Sequence, residues 1–393
     1  MTPPARLQAA IEIADQVIAA AKGGGAAADT VIARWFKERR FAGSKDRRAV
    51  RDLLYAAIRR AGEVPASGRA ALIGLAADRP DLLPLFDGSR HGPVPVEPGE
   101  AAATAGVAPA WLRERLATAL APEELPALLD RAPLDLRVNR LKATVDEVRT
   151  LLPTAEPGRH APDALRLPEG EAVEKLPAFA DGLFEVQDEG SQLLAVACAA
   201  RPGEVGVDLC AGAGGKTLAL AAALGNEGRL IACDVDRARL SRLAPRADRA
   251  GARVETRLLD GGREKDALQD LRGGADLVLV DAPCTGTGTW RRNPEARWRL
   301  TPERLARTVA LQEHVLDVAA PLVRPGGRLI YAVCSLLDEE GRAQAEAFLA
   351  RRTGWRSRPV DLSAGRAHGA GRLLSPAADG TDGFFVAAFE APC

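Results

Sequence analysis

Val205-Gly206-Val207-Asp208-Leu209-Cys210-Ala211-Gly212-Ala213-Gly214-Gly215-Lys216-Thr217 is the stretch that decides the fold. It opens as an apolar run of strand length and leads into a helical stretch over Thr217–Leu224. Between the two lies a glycine-rich turn. A Walker phosphate loop needs a glycine where Cys210 stands, which disfavours a nucleotide triphosphatase. A dinucleotide fingerprint starting at Gly212 needs a glycine where Thr217 stands, which disfavours a nicotinamide-dependent oxidoreductase. What survives is a strand, a glycine turn and a helix, whose backbone a ligand can approach closely.

Outward from that turn, apolar runs of strand length recur at Arg229–Cys233, Val254–Leu259, Asp276–Val280 and Arg328–Val333, with helical stretches between them such as Pro302–Ala320. Such alternation predicts an α/β domain built on a parallel sheet covered on both faces. Ligands on such sheets bind beyond the carboxyl ends of the strands. Acids stand at four successive strand ends: Asp208, Asp234, Asp260 and Asp281. One such acid is commonly a helix cap. Four of them with a glycine turn read as a nucleoside-containing cofactor site, with S-adenosylmethionine favoured over NAD. The expected cofactor-binding residues are Cys210, Ala211, Gly212, Ala213, Gly214, Gly215, Lys216, Asp234, Asp260 and Asp281.

Two cysteines follow the last two strands, Cys284 in Asp281-Ala282-Pro283-Cys284 and Cys334 in Tyr331-Ala332-Val333-Cys334-Ser335. A lone cysteine is usually core filler. If these strands are neighbours, two thiols beside a carboxylate in one crevice point to chemistry. The other four cysteines are scattered, no CxxC pair occurs, and the histidines have no zinc-ligand spacing, so neither a disulfide framework nor a metal site is expected.

The 393-residue chain balances 53 basic against 53 acidic side chains, and its 47% hydrophobic content excludes wholesale disorder. No apolar run is long enough to span a membrane, and the N-terminus lacks a signal-peptide core, so a cytoplasmic protein is expected. Residues 1–80 carry 14 Lys/Arg against 8 Asp/Glu, a net +6 concentrated between Arg34 and Arg60. Helical spacing of Leu7, Ala10, Ile11, Ala14, Val17 and Ile18, and of Val50, Leu53, Leu54 and Ala57, makes this segment helical, with Asp46 or Ser44 placed to cap the second helix. Its charge fits either a solvated face or a polyanion-binding one. Gly/Pro/Ala-rich sequence near 88–108 reads as a linker. A smaller mixed segment follows, with a helix from Pro109, a strand at Leu134–Asn139 and a helix near Val145–Leu152.

Arg137-Val138-Asn139, Val186-Gln187-Asp188-Glu189-Gly190-Ser191-Gln192-Leu193, the glycine turn, Asp281-Ala282-Pro283-Cys284, Arg291-Arg292-Asn293-Pro294, Trp298, Gln312 and Tyr331–Ser335 together resemble the Sun-type (Fmu) RNA cytosine-5 methyltransferases over nearly the whole chain. Val333 stands where that family usually has Thr, and Gly212-Ala213 where it has Ala-Pro. The resemblance implies a Rossmann-like S-adenosylmethionine-dependent catalytic domain at 179–393, a small α+β RNA-binding subdomain at 109–178, a linker at 91–108 and a helical NusB-like RNA-binding domain at 1–90. It implies Cys334 as nucleophile on carbon 6 of cytosine, Asp281 holding the base, and Cys284 serving the release step. Lys216, Arg291 and Arg292 become candidate phosphate contacts. Ribosomal RNA, 16S in particular, is the implied partner, with transfer RNA as the alternative and no membrane or metal. A DNA cytosine-5 methyltransferase would instead use Cys284 and leave Cys334 without a role. A non-catalytic RNA-binding module would leave both thiols unexplained.

Overall fold

The computed structural model describes residues 1–168 and 170–393. The chain packs into two compact units, Met1–Arg131 with Thr289–Pro302, and Ala132–Gly288 with Glu303–Cys393. Among the described residues no helix is long and apolar enough to cross a membrane.

The first unit is helical: α1 (Pro3–Lys22), α2 (Ala28–Glu38), α3 (Ser44–Arg60) and α4 (Gly68–Asp78). Thr2 caps α1 by accepting the Ala5 N–H, and the apolar positions read from the sequence (Leu7, Ala10, Ile11, Ala14, Val17 and Ile18) are all buried. Neither expected cap of α3 acts as one. Ser44 is already helical, and Asp46 instead accepts from Arg6 Nε at 2.8 Å, tying α3 to α1. The contacts divide the chain differently from the expected 1–90, 91–108, 109–178 and 179–393. Residues expected as a linker pack in this unit, where Ala103 N–H donates to Ala70 O and Gly106 N–H to Arg60 O, both at 2.9 Å. The helix Ala110–Leu116 also belongs here.

So does the distant segment 289–302, which supplies the ends of three helices. Glu295 Oε1 accepts the Ala28 N–H at 2.9 Å, capping α2, whose own N-cap Ala27 has no acceptor side chain. The Arg297 guanidinium donates to the carbonyls of Ile58, Arg59 and Ala61 at the end of α3, at 2.6, 3.1 and 2.8 Å. Arg299 does the same for Ala20, Gly25 and Ala26 after α1. Orphan helix-end carbonyls meet cations, as the helix dipole favours.

The second unit holds two sheets. The smaller comprises β1 (Leu134–Val138), β2 (Glu156–Pro157), β3 (Ala164–Leu167) and β4 (Phe184–Val186) in the order β2-β3-β1-β4, antiparallel throughout. The larger has nine strands: β5 (Val205–Asp208), β6 (Arg229–Asp234), β7 (Glu255–Leu258), β8 (Ala275–Asp281), β9 (Val323–Val333), β10 (Arg356–Arg358), β11 (Arg366–His368), β12 (Gly371–Leu374) and β13 (Phe384–Glu390). Its order is β11-β12-β13-β9-β8-β5-β6-β7, with β10 on β13. Strands β5 to β9 are parallel, and β8 and β9 are neighbours in a register that pairs Asp281 with Ala332. The five strands read from the sequence thus form the expected parallel sheet, which continues antiparallel on one side. There β13 pairs antiparallel with β9 and carries β10 and β12 in the same sense. At the opposite edge β7 is largely exposed and charged, with Arg257 held by Glu255 and Asp270.

Candidate active site

The carboxyl ends of the parallel strands open into a cleft of about 620 Å³. Cys210 follows β5, Asp234 ends β6, Leu259 follows β7, Asp281 ends β8 with Cys284 just beyond it, and Cys334 follows β9. All of them line the cleft. The opposite wall is one face of the helix Pro302–Ala319, where Leu311, His314, Val315 and Val318 recur at helical spacing. Apolar side chains facing carboxylates across a cleft of this size suit a nucleoside-sized ligand.

The glycine turn is built by local hydrogen bonds. Ala211 N–H donates to Cys233 O and Gly214 N–H to Ala211 O, both at 2.9 Å. Gly214 has φ of +86°, and a Cβ on it would lie 2.1 Å from Leu243, so glycine is required. Asp234 accepts the Gly212 N–H and the Asp236 N–H, each at 2.7 Å, one on each oxygen. It therefore fixes the turn while still facing the cleft.

The four strand-end acids have separate fates. Asp208 is buried below the turn, where Oδ2 accepts from Thr217 Oγ1 at 2.7 Å and Oδ1 has no hydrogen-bond partner. Burial pushes its carboxyl up to about 7. Asp234 and Asp281 face the cleft, whereas Asp260 is exposed and outside its lining. Of the turn residues only Cys210 reaches the lining; Ala211, Gly212, Ala213, Gly214 and Gly215 supply the backbone behind it. Lys216 pairs with Asp281 Oδ2 at 2.7 Å. Burial opposes the Lys216 charge, but Asp281 outweighs it and raises the ammonium above its usual range. Arg291 and Arg292, candidate phosphate contacts by sequence, belong to the helical unit.

The two thiols meet. Cys284 Sγ and Cys334 Sγ are 3.2 Å apart, both as free cysteines. The bond to Cys334, then burial, pushes the Cys284 thiol well above its ordinary value. The loop carrying Cys284 is held close to that carrying Cys334: Gly288 N–H donates to Cys334 O at 3.0 Å, and Leu336 N–H to Thr287 Oγ1 at 2.8 Å. Gly288 is needed there, since a Cβ on it would lie 2.0 Å from Gly383 O. A nucleophile beside a second thiol, with a lysine–carboxylate pair next to both, suits covalent catalysis on an electrophilic ring.

Sequence reasoning missed Arg239, Val235 and the helix face Leu311–Val318 in the lining, although their helical spacing was a readable signal. It also missed Glu340, whose neighbours Asp338 and Glu339 make it look like part of a solvated acidic run.

Comparisons with known proteins place the chain among methyltransferases. The family described as 16S rRNA methyltransferase RsmB/F matches residues 195–390, and the ferredoxin-like domain of RsmF/B-like methyltransferases matches residues 108–174. The chain is 37% identical over 289 residues, 71% of its length, to the ribosomal RNA small subunit methyltransferase B of Erwinia tasmaniensis, of which it spans 65%. It is 37% identical over 278 residues, 67% of its length, to the probable ribosomal RNA small subunit methyltransferase B of Synechocystis, of which it spans 62%. The chain thus spans just under two thirds of these relatives' length. The solved structure of PH0851 superposes with a TM-score of 0.79 and 26% identity, over 99% of both chains.

Proposed function

The chain belongs to the RsmB/F methyltransferase family, and on that premise we propose that it is an RNA (cytosine-5)-methyltransferase acting on small-subunit ribosomal RNA. The observation that carries this reading is the pair of thiols 3.2 Å apart at the ends of adjacent strands, beside the Lys216–Asp281 pair and the cleft. The description of the matched family supports 16S ribosomal RNA over transfer RNA as substrate, and the names of the curated relatives support small-subunit ribosomal RNA.

Cys210, Asp234 and the apolar helix face would hold S-adenosylmethionine, which would supply an electrophilic methyl group. Carbon 5 of cytosine is too weak a nucleophile to take it unaided. Addition of the Cys334 thiolate to carbon 6 forms a carbon–sulfur bond and makes carbon 5 enamine-like. Asp281 keeps one oxygen on Lys216 and offers the other to the amino edge of the base, while the Lys216 ammonium beside it favours the negative charge that builds on the ring. Cys284 then has the release step. The bond to Cys334 is the leading cause that holds its hydrogen. Once Cys334 is a thioether that negative partner is gone, so Cys284 ionises more readily. Its thiolate takes the carbon 5 proton as the carbon 6–sulfur bond breaks and the Cys334 thiolate leaves. The target base must be unpaired or flipped out to enter the cleft. The exposed cations of α2 and α3 supply RNA affinity.

The two cysteines fail in opposite ways under this mechanism, which gives the test. Cys334→Ala binds RNA but forms no covalent link. Cys284→Ala completes addition and stalls with RNA attached through Cys334. A denaturing gel with labelled RNA separates them, because only a covalent adduct survives detergent. A stable shifted band for Cys284→Ala, lost in the double variant, supports the assignment. An adduct formed by Cys334→Ala through Cys284 overturns it.

A further inference from the structure

Glu340 lies in the turn that follows β9, is fully buried, and does not line the cleft. Its carboxylate accepts four hydrogen bonds. Oε1 takes the Thr285 N–H at 2.8 Å and the Gln312 side-chain amide at 3.0 Å, and Oε2 takes the hydroxyls of Thr285 and Ser335. Thr285 is the residue directly after Cys284, and Ser335 the residue directly after Cys334. The same Gln312 amide donates to the carbonyl of Pro283, directly before Cys284, at 2.9 Å. The Glu340 carbonyl in turn accepts the Tyr331 hydroxyl of β9 at 2.6 Å. One buried acid is therefore bonded to both loops that carry the reactive sulfurs and to the helix that walls the cleft.

Burying a carboxylate is costly unless its lone pairs are filled. Here burial raises the Glu340 carboxyl while its four bonds pull it back. The two donors on Oε1 are a backbone N–H and an amide fixed by Pro283 O, neither of which can accept. Such a site is built for an acceptor. Alanine or leucine would fill the same core position without the desolvation cost, so packing alone gives no reason for an acid there.

We propose that Glu340 is a positioning residue of the two-thiol site, which through the two loops it bonds holds Cys284 and Cys334 in contact. This rests on the RNA methyltransferase reading for its catalytic consequence, though not for its geometry. The groups bearing on Cys284 are the Cys334 sulfur at the end of β9, Glu340 beyond it, Asp281 on its own strand end with Lys216 paired to it, and Tyr331 on β9. Cys334 and Glu340 both raise the Cys284 thiol, and the Gly286 N–H opposes them. Glu340 does not line the cleft, and it bears on Cys284 through the loops it bonds and through its charge.

Replacing Glu340 separates its charge from its shape. E340Q keeps the acceptor for Thr285 N–H and Gln312 and offers an N–H₂ to the two hydroxyls, so the loops stay in place without the charge. The measurement is alkylation of each cysteine by iodoacetamide across pH, read by mass spectrometry on the full-length protein without RNA. In the native protein Cys284 reacts only above the ordinary thiol range. In E340Q the Cys284 profile moves to lower pH by about one unit, a change of about tenfold in reactivity at a fixed pH. S335A, a milder loss of one donor, moves the same profile in the same direction by less. RNA turnover in E340Q falls about tenfold or more while cofactor affinity stays as it was. Cysteine profiles in E340Q that coincide with the native ones overturn the inference, as does native turnover in that variant. Because the titration needs no RNA, it still answers if the chain turns out not to methylate RNA. Conversely, a Cys334–RNA adduct with unchanged profiles removes the role of Glu340 alone.

Discussion

Asp208 and Asp234 end neighbouring strands with the same side chain, and their surroundings give them opposite work. Asp234 spends one oxygen on a backbone N–H of the glycine turn and the other on the Asp236 N–H of its own loop, yet faces the cleft. Asp234→Ala therefore weakens S-adenosylmethionine binding in calorimetry by about 1–3 kcal/mol, the range for losing bonds to a charged group; unchanged affinity would remove Asp234 from the cofactor site. Asp208 never meets the cleft. Its carboxyl rises from the ordinary 3.8 to about 7, so between those values the folded chain holds a proton that the unfolded chain has released. The stability this group contributes is complete below about 4 and is lost as pH rises through about 7, at up to about 1.4 kcal/mol per pH unit. Asp208→Asn removes that slope. Urea unfolding of both proteins at several pH values should show the variant gaining on the native chain between pH 4 and 7, and parallel curves would show that Asp208 ionises normally.

At the scale of elements, helix ends in the N-terminal unit depend on residues far away in sequence. Glu295 caps α2 and Arg297 closes α3. Glu295→Ala should cost about 1 kcal/mol, the usual worth of an N-cap. Arg297→Ala should cost more, about 1–3 kcal/mol, because it strands buried carbonyls. Urea unfolding followed by tryptophan fluorescence checks both, and equal, negligible effects would mean that water satisfies these ends. No local pattern announces such caps, which is why Asn293, Pro294 and Trp298 entered the sequence reading only as pieces of the family resemblance. The strands β5, β6, β8 and β9 were legible because burial on both faces writes them as unbroken apolar runs. Strands β10 to β12 were not, being short, partly exposed and rich in Arg and Gly. The cysteine pair was legible for the same reason as the strands, since each thiol directly follows one. Glu340 was hidden because its burial comes from loops that meet only in three dimensions.

At the scale of the molecule, a neutral chain carries a segment of +6 at its N-terminus. Arg34, Lys37, Arg40, Lys45, Arg48 and Arg51 are exposed on α2, α3 and the turn between them. Val31, Ile32, Val50 and Leu54 of the same helices are buried, so the cations crowd the outward faces. Concentrated positive charge repels itself and contributes nothing to the core, so its placement suits either a solvated face or a face for a polyanion. Deleting the segment is a poor test, because Trp298 and Arg297 would lose the helices they are buried against. Reversing Lys45, Arg48 and Arg51 to Glu leaves the apolar face of α3 untouched. If these three contact phosphates, RNA affinity falls and the slope of log affinity against log salt flattens by about 2, at about 0.7 per contact on single-stranded RNA. Affinity for S-adenosylmethionine stays constant, since none of the three lines the cleft. Filter binding at several salt concentrations reads both quantities. An unchanged slope in the triple variant would show that the basic face is only solvated, and that RNA affinity resides in the methyltransferase unit itself.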